Sequence, residues 1–357
     1  MQEKSKEIRE LLAHVTYPGT SENIIALDMV QQVKVDGHLV SFRLIFQHAS
    51  DPFAPALKKR CESLLSEHGY TAVIEPLFVH DLERPLSLER VHHIIAISSG
   101  KGGVGKSTVA SNLAIALVQS GYQVGLIDAD IFGPSIPKMF DAEGARPYMV
   151  DVDGHQRIEP VERYGVKLLS VGFFVEPDAA TVWRGPMASS ALKQMLEAGN
   201  WGELDYLLID LPPGTSDIHL TLVQSVALTG AIVVSTPQQV ALADAVKGIN
   251  MFRSPGIGVP VLGIVENMAW FTPEELPENR YYLFGKEGAK QLALASNLPL
   301  LGQIPIVQGI MEGGESGRPV LLDGGIAATA FRELARQVIA AAASSPGAGQ
   351  RVKITRK

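Results

Sequence analysis

Between Ser98 and Thr108 the chain reads SSGKGGVGKST, four glycines and two lysines directly after the apolar run HIIAI. Gly100 to Ser107 follow the spacing G-x-x-x-x-G-K-S, which suits a phosphate. Gly102, Gly103 and Gly105 let backbone N–H groups turn inward with no Cβ in the way. Lys106 brings a cation to the β- and γ-oxygens at the positive end of the helix that starts there. The Ser107 hydroxyl suits Mg2+, and Val104 and Thr108 complete the segment expected to touch a nucleotide. A glycine-rich turn joining strand to helix is the plain alternative. The strand before the loop and the helix KSTVASNLAIALVQSG after it favour the phosphate.

Two more segments end apolar runs with carboxylates. GLIDADIFGPS sets Asp128 and Asp130 just beyond one strand, and LLIDLPPGTSD sets Asp210 at the end of another. Such strand ends line the crevice in which α/β sheets take ligands. A lone aspartate there caps a turn or helix. Two such segments beside a phosphate loop point to one shared site.

These groups converge only if a sheet holds them. From about residue 91, short β-branched runs (HIIAIS, VGLID, VKLLSVG, YLLID, AIVVS, VLGIVEN) alternate with longer helical patterns. Continuous apolar strands separated by helices predict an α/β unit with a mostly parallel sheet flanked by helices. Residues 1–80 read differently, as a small α+β domain. There a charged helix precedes two alternating strands joined at Asp36-Gly37, then a helix ended by Gly69 and a strand TAVIEP. Residues 81–90 are expected to be a linker, 91–343 the larger domain and 344–357 a disordered basic tail.

Composition narrows the function. The chain has 357 residues, 46% hydrophobic, with net charge −7, ample for a buried core. The acidic balance argues against nucleic acid as partner, since phosphate backbones need a basic face. No run of about 18 apolar residues occurs and no leader pattern precedes the body. The expectation is a soluble, cytoplasmic protein without a membrane partner. Cys61 is the single cysteine, so disulfides cannot staple the fold.

SGKGGVGKSTVASNLA, LIDADIFGPSIP, VWRGPM, LIDLPPGTSD and VENMAWF together resemble the Mrp/ApbC iron–sulfur carrier ATPases, in the MinD and nitrogenase iron-protein group of P-loop NTPases. The resemblance covers about residues 91–340. The N-terminal unit resembles a small iron–sulfur-assembly domain. It implies a homodimer that binds ATP and Mg2+, hydrolyses ATP, and delivers iron–sulfur clusters to acceptor or assembly proteins. Lys101 matches the signature lysine of the deviant Walker A loop, which reaches the partner subunit's nucleotide as an arginine finger does. Asp130 matches the aspartate that orients the attacking water, and Asp210 holds Mg2+ together with Ser107. Pro212, Pro213 and Gly214 match a switch turn that responds to the γ-phosphate. Asn267 matches the adenine contact; a strand-end turn is its other reading.

One departure stands out. The family's cluster sits on Cys-x-x-Cys just after ENM, and ENMAWFTPEELPENRYYLFG has no cysteine. A [4Fe–4S] cluster asks for about four thiolates; a dimer of this chain brings two, both Cys61. Cys61 itself reads as a buried helix residue. Glu274, Glu275 and Glu278 would suit a hard metal, and read better as a solvated loop. The iron–sulfur ligands are therefore unknown. Two functions stay open: a cluster carrier, and a nucleotide-switched scaffold that carries none. Phosphoryl transfer to a metabolite is a thinner third, with no substrate pocket legible.

Overall fold

The computed structural model describes every residue except 1, 19–22, 28, 47–52, 79–84, 132, 175–184, 216, 255–256, 274, 277 and 346–357. It divides into two compact units, residues 1–83 with 255–258 and residues 84–254 with 259–357.

In the smaller unit, α1 (Gln2–Leu12), β1 (Val30–Asp36), β2 (Leu39–Phe46), α2 (Ala54–Glu67) and β3 (Thr71–Phe78) follow in order. β2 lies between β1, antiparallel, and β3, parallel. Val40, Phe42, Leu44 and Phe46 are all buried, the two-residue period of a strand with one face on a core. Asp36 pairs with Leu39, so the hairpin turns on Gly37 and His38, one residue later than the sequence suggests. Gly37 has φ +61°, which glycine adopts without strain. Cys61, on α2, is fully buried.

The larger unit runs β4 (Val91–Ser98), α3 (Lys106–Gln119), β5 (Val124–Asp128), α4 (Ile136–Met139), β6 (Tyr148–Val152), β7 (His155–Glu159), β8 (Val161–Arg163) and β9 (Val166–Ser170). It continues with α5 (Gly185–Ala198), β10 (Leu204–Asp210), α6 (Asp217–Ser225), β11 (Gly230–Ser235), α7 (Gln239–Arg253) and β12 (Val261–Glu266). α8 (Gly288–Ala295), β13 (Leu300–Gln303), α9 (Gln308–Glu315) and α10 (Gly325–Ser344) close the chain.

The eight-stranded sheet has the order β13-β12-β11-β4-β10-β5-β9-β8, parallel except for the edge strand β8, which is antiparallel to β9. The six apolar runs legible in the sequence are its interior strands. Residues 94–98 of β4 and all of β5 and β11 are buried, because helices cover both faces of a parallel sheet. α3 carries apolar residues nearly all round and is buried from Val109 to Leu117, packing on the sheet and against α10.

β13, β8 and the β6–β7 hairpin are additions to the sequence reading. They are short edge or surface strands, with too few apolar residues to show a period. The expected linker also differs at its C-terminal end. Residues 86–88 form a helical turn, Leu88 is buried, and Ser87 Oγ donates to Leu196 O at 2.6 Å; Leu88 belongs to a core. Residues 81–84 of that segment lie outside the described residues. So does the basic tail from 346 onward; Ser345 Oγ donates to Thr229 O at 2.7 Å. Among the described residues no helix is long and apolar enough to cross a membrane.

Candidate functional site

β4, β5 and β10 lie side by side, and their C-terminal ends carry the three segments singled out in the sequence. Parallel register pairs Asp210 with Asp128 and with Ile97. Two carboxylates, both fully buried, thus stand on adjacent strands, immediately beneath the loop that leaves β4.

That loop opens into α3 through Gly105, whose φ of +80° puts it in the left-handed region that favours glycine. Its turn aims Lys106 back into the crevice, where the side chain is only 6% exposed. The ammonium Nζ donates to Asp210 Oδ1 at 2.7 Å and to Ser107 Oγ at 3.2 Å, and lies 3.8 Å from Asp130 Oδ2. Ser107 Oγ donates to Asp210 Oδ2 at 2.6 Å. One cation therefore faces both Asp210 and Asp130.

Asp128 forms no salt bridge among the described residues. Its oxygens accept from Asp130 N (3.2 Å), Ile136 N (3.2 Å) and Ser170 Oγ (3.0 Å). Burial, reinforced by the neighbouring Asp210 charge, pushes its carboxyl up to about 7 against the opposing pull of Lys106. Asp210 is raised as well, by burial first, with Lys106 and its hydrogen bonds from Lys106 and Ser107 opposing.

The loop encloses a cleft of about 220 Å3, lined by residues 99 and 101–108 together with Asp130, Ser135, Met139 and Pro213. Backbone N–H groups of a glycine-rich turn at a helix start, with an inward lysine, form a receptacle for phosphate oxygens. Ser107 and Asp210 supply two adjacent hard oxygen donors, a set that fits Mg2+. Gly214 N donates to Ser99 O at 2.8 Å, tying the Pro212–Gly214 turn to the base of the loop. Lys101 lies on the rim of this cleft. It is exposed, and among the described residues only its carbonyl is engaged, accepting from Ser99 Oγ at 3.0 Å.

Asn267 arrives from the end of β12. It is buried, and its Nδ2 donates to Val104 O at 2.8 Å. A Cβ on Gly105 would collide with the same amide. The side chain thus braces the loop from beneath, a role that the sequence did not suggest.

Other supports escaped the sequence reading. Ser170 holds Asp128 from β9. His219 on α6 is buried, its Nε2 3.4 Å from Ser98 Oγ. A Cβ on Gly100 would strike the main chain of α7 at Asp244. None carries a motif, because each is defined only by which strand or helix lands beside the loop. The acidic stretch does not gather into a site: Glu275 and Glu278 are exposed, Glu274 lies outside the described residues, and among the described residues no three metal-ligating side chains cluster. Trp183 and Arg184 of VWRGPM also lie outside the described residues.

Known proteins resemble this chain. A ParA-group family model, described as NUBPL iron-transfer P-loop NTPase, matches residues 90–339. A second, for an iron–sulfur cluster assembly protein, matches residues 5–70. The chain is 41% identical over 336 residues to an iron-sulfur cluster carrier protein of Synechocystis, covering 92% of this chain and 95% of that one. It is 41% identical over 317 residues to the iron-sulfur cluster carrier protein of Escherichia coli K12, covering 87% and 84%. Among solved structures, a nucleotide-binding protein of Archaeoglobus fulgidus in complex with ADP superposes with a TM-score of 0.57 at 39% identity, covering 67% of this chain and 91% of that one.

Proposed function

The chain belongs to the NUBPL-type iron-transfer P-loop NTPases of the ParA group, and on that premise we propose that it hydrolyses ATP to assemble iron–sulfur clusters or deliver them to acceptor proteins. The observation that carries this reading is the cluster of Lys106, Ser107 and Asp210 beneath a glycine-rich loop, in a chain matched along most of its length by iron–sulfur cluster carriers.

The residues divide the work as follows. Gly100 to Thr108 wrap the phosphates, with Lys106 transferring its charge from Asp210 to the β- and γ-oxygens. Ser107 and Asp210 hold Mg2+, which offsets phosphate charge. Asp130, at the mouth of the cleft, orients the attacking water. Asn267 keeps its amide nitrogen on Val104 O, which leaves its carbonyl oxygen to accept from the exocyclic amine of adenine. Lys101, exposed on the loop, serves the nucleotide of a second copy, so the active form is a homodimer and turnover needs both subunits.

The cargo does not fit this chain's own thiols. Its only cysteine is buried, and burial pushes the thiol up to about 12; a protonated, enclosed sulfur is no iron ligand. The cluster is therefore held by thiolates that an acceptor or assembly protein contributes. Cys61 also favours a second reading, a nucleotide-switched scaffold that organises such proteins without holding the cluster. Anaerobic reconstitution with iron and sulfide separates the two. Iron–sulfur absorbance only when a thiol-bearing acceptor is present supports shared carriage. No absorbance in any combination leaves the scaffold.

A further inference from the structure

Glu266, the last residue of β12, is fully buried and has no salt bridge among the described residues. A carboxylate in such a place needs donors on both oxygens, and it has them. Oε2 accepts from Ala289 N in the first turn of α8 at 2.6 Å, and Oε1 accepts from Gln303 Nε2 on β13 at 2.7 Å. Glu266 and Gln303 are register partners on adjacent strands, so the second contact is fixed by the sheet. The first places a negative charge at a helix N-terminus, where the peptide dipoles favour it.

The position of these contacts is what gives them a role. The chain leaves β12 at Asn267, turns at Met268 with φ +55°, and returns at Glu287 with φ +55°, two residues before Ala289. Glu266 thus bridges the departure and the return of residues 268–287. Asn267, the next residue, spends its backbone N–H on Ser235 O at 2.8 Å and its amide on Val104 O. We infer that Glu266 is a positioning residue of the nucleotide site, fixing the end of β12 so that Asn267 supports the phosphate loop at Val104 and Gly105. This rests on the reading of that loop as an ATP site.

Swapping the two side chains tests it, because both of Glu266's partners donate. In E266Q the new amide oxygen accepts from Ala289 N, and the new NH2 donates to Gln303 once that amide turns over. Q303E instead sets two carboxylates against each other, and E266Q/Q303E restores one donor and one acceptor. Calorimetric titration of the full chain with ATP and Mg2+ reads the outcome. E266L, which strands the donors of Ala289 and Gln303, and Q303E, which opposes two carboxylates, are expected to bind about tenfold more weakly, with E266Q and E266Q/Q303E near the unaltered chain. Thermal melts run alongside: a merely structural residue lowers the midpoint and leaves the dissociation constant of the folded protein unchanged. Unaltered affinity in folded E266L, or a double variant no better than Q303E, overturns the role. If E266L does not fold, the swap pair decides. No heat from the unaltered chain overturns the ATP reading and this role together.

Discussion

Lys106 Nζ stands 2.7 Å from Asp210 Oδ1, with the aspartate fully buried and the lysine nearly so. The lysine expected at the phosphates is thus paired to the aspartate expected at the metal. Each holds the other's charge inside the protein.

Lys106→Met removes that cation from beside Asp128 and Asp210. ATP binding is expected to vanish by calorimetry. Stability without nucleotide acquires a steeper pH dependence. Both carboxyls are raised in the folded chain, so their contribution is fullest below the unfolded value of about 4 and declines as pH rises through the folded value, about 7 for Asp128. Losing Lys106 raises both further. The variant should approach the parent at acid pH and fall behind by about 3 kcal/mol near neutrality, as read by denaturant titration. Parallel curves across that range would refute the electrostatic coupling.

Lys101→Ala separates binding from turnover. The side chain makes no hydrogen bond or ion pair among the described residues, so ATP affinity should hold while kcat drops on the order of a hundredfold or more. Mixing the variant with Asp130→Ala chains offers a sharper measurement. In mixed dimers one composite site has both residues and recovers activity. Full hydrolysis by Lys101→Ala alone would end the cross-subunit role.

Gly103 and Gly105 share a φ of +80° and differ in surroundings. A Cβ on Gly103 meets nothing within 4 Å, whereas one on Gly105 runs into the Asn267 amide. Without nucleotide, Gly103→Ala should cost only the left-handed strain of about 1 kcal/mol. Gly105→Ala should cost visibly more, since Asn267 must also give up Val104. Equal melting shifts for the two would show that Asn267 is not a support.

Cys61 should be inert. Its thiol is raised to about 12 by burial, with Glu62 adding to the effect, so thiol reagents at mildly alkaline pH should label it only after unfolding. A raised acid of this kind favours the folded state until pH passes the unfolded value near 9, and that contribution falls away toward 12. Rapid labelling of the folded chain would reopen Cys61 as a ligand.

The sequence by itself determined the glycine-rich loop between β4 and α3, the aspartates at the strand ends, the six interior strands and the absence of a cysteine pair after Asn267. These are local facts: a glycine turn, an apolar run and a residue count need no partner elsewhere in the chain. It also placed Cys61 inside a helix. Only the tertiary structure decided what stands beside what. Parallel register sets Asp128 against Asp210, the order of strands brings Glu266 to Gln303, and the end of β12 delivers Asn267 under Gly105. Strand edges such as β8 and β13 were invisible for the same reason, being too short for a period and strands only through their neighbours. Chemistry that depends on residue type was legible along the chain. Chemistry that depends on which buried charge faces which donor arises from long-range pairing, and no window of sequence contains it.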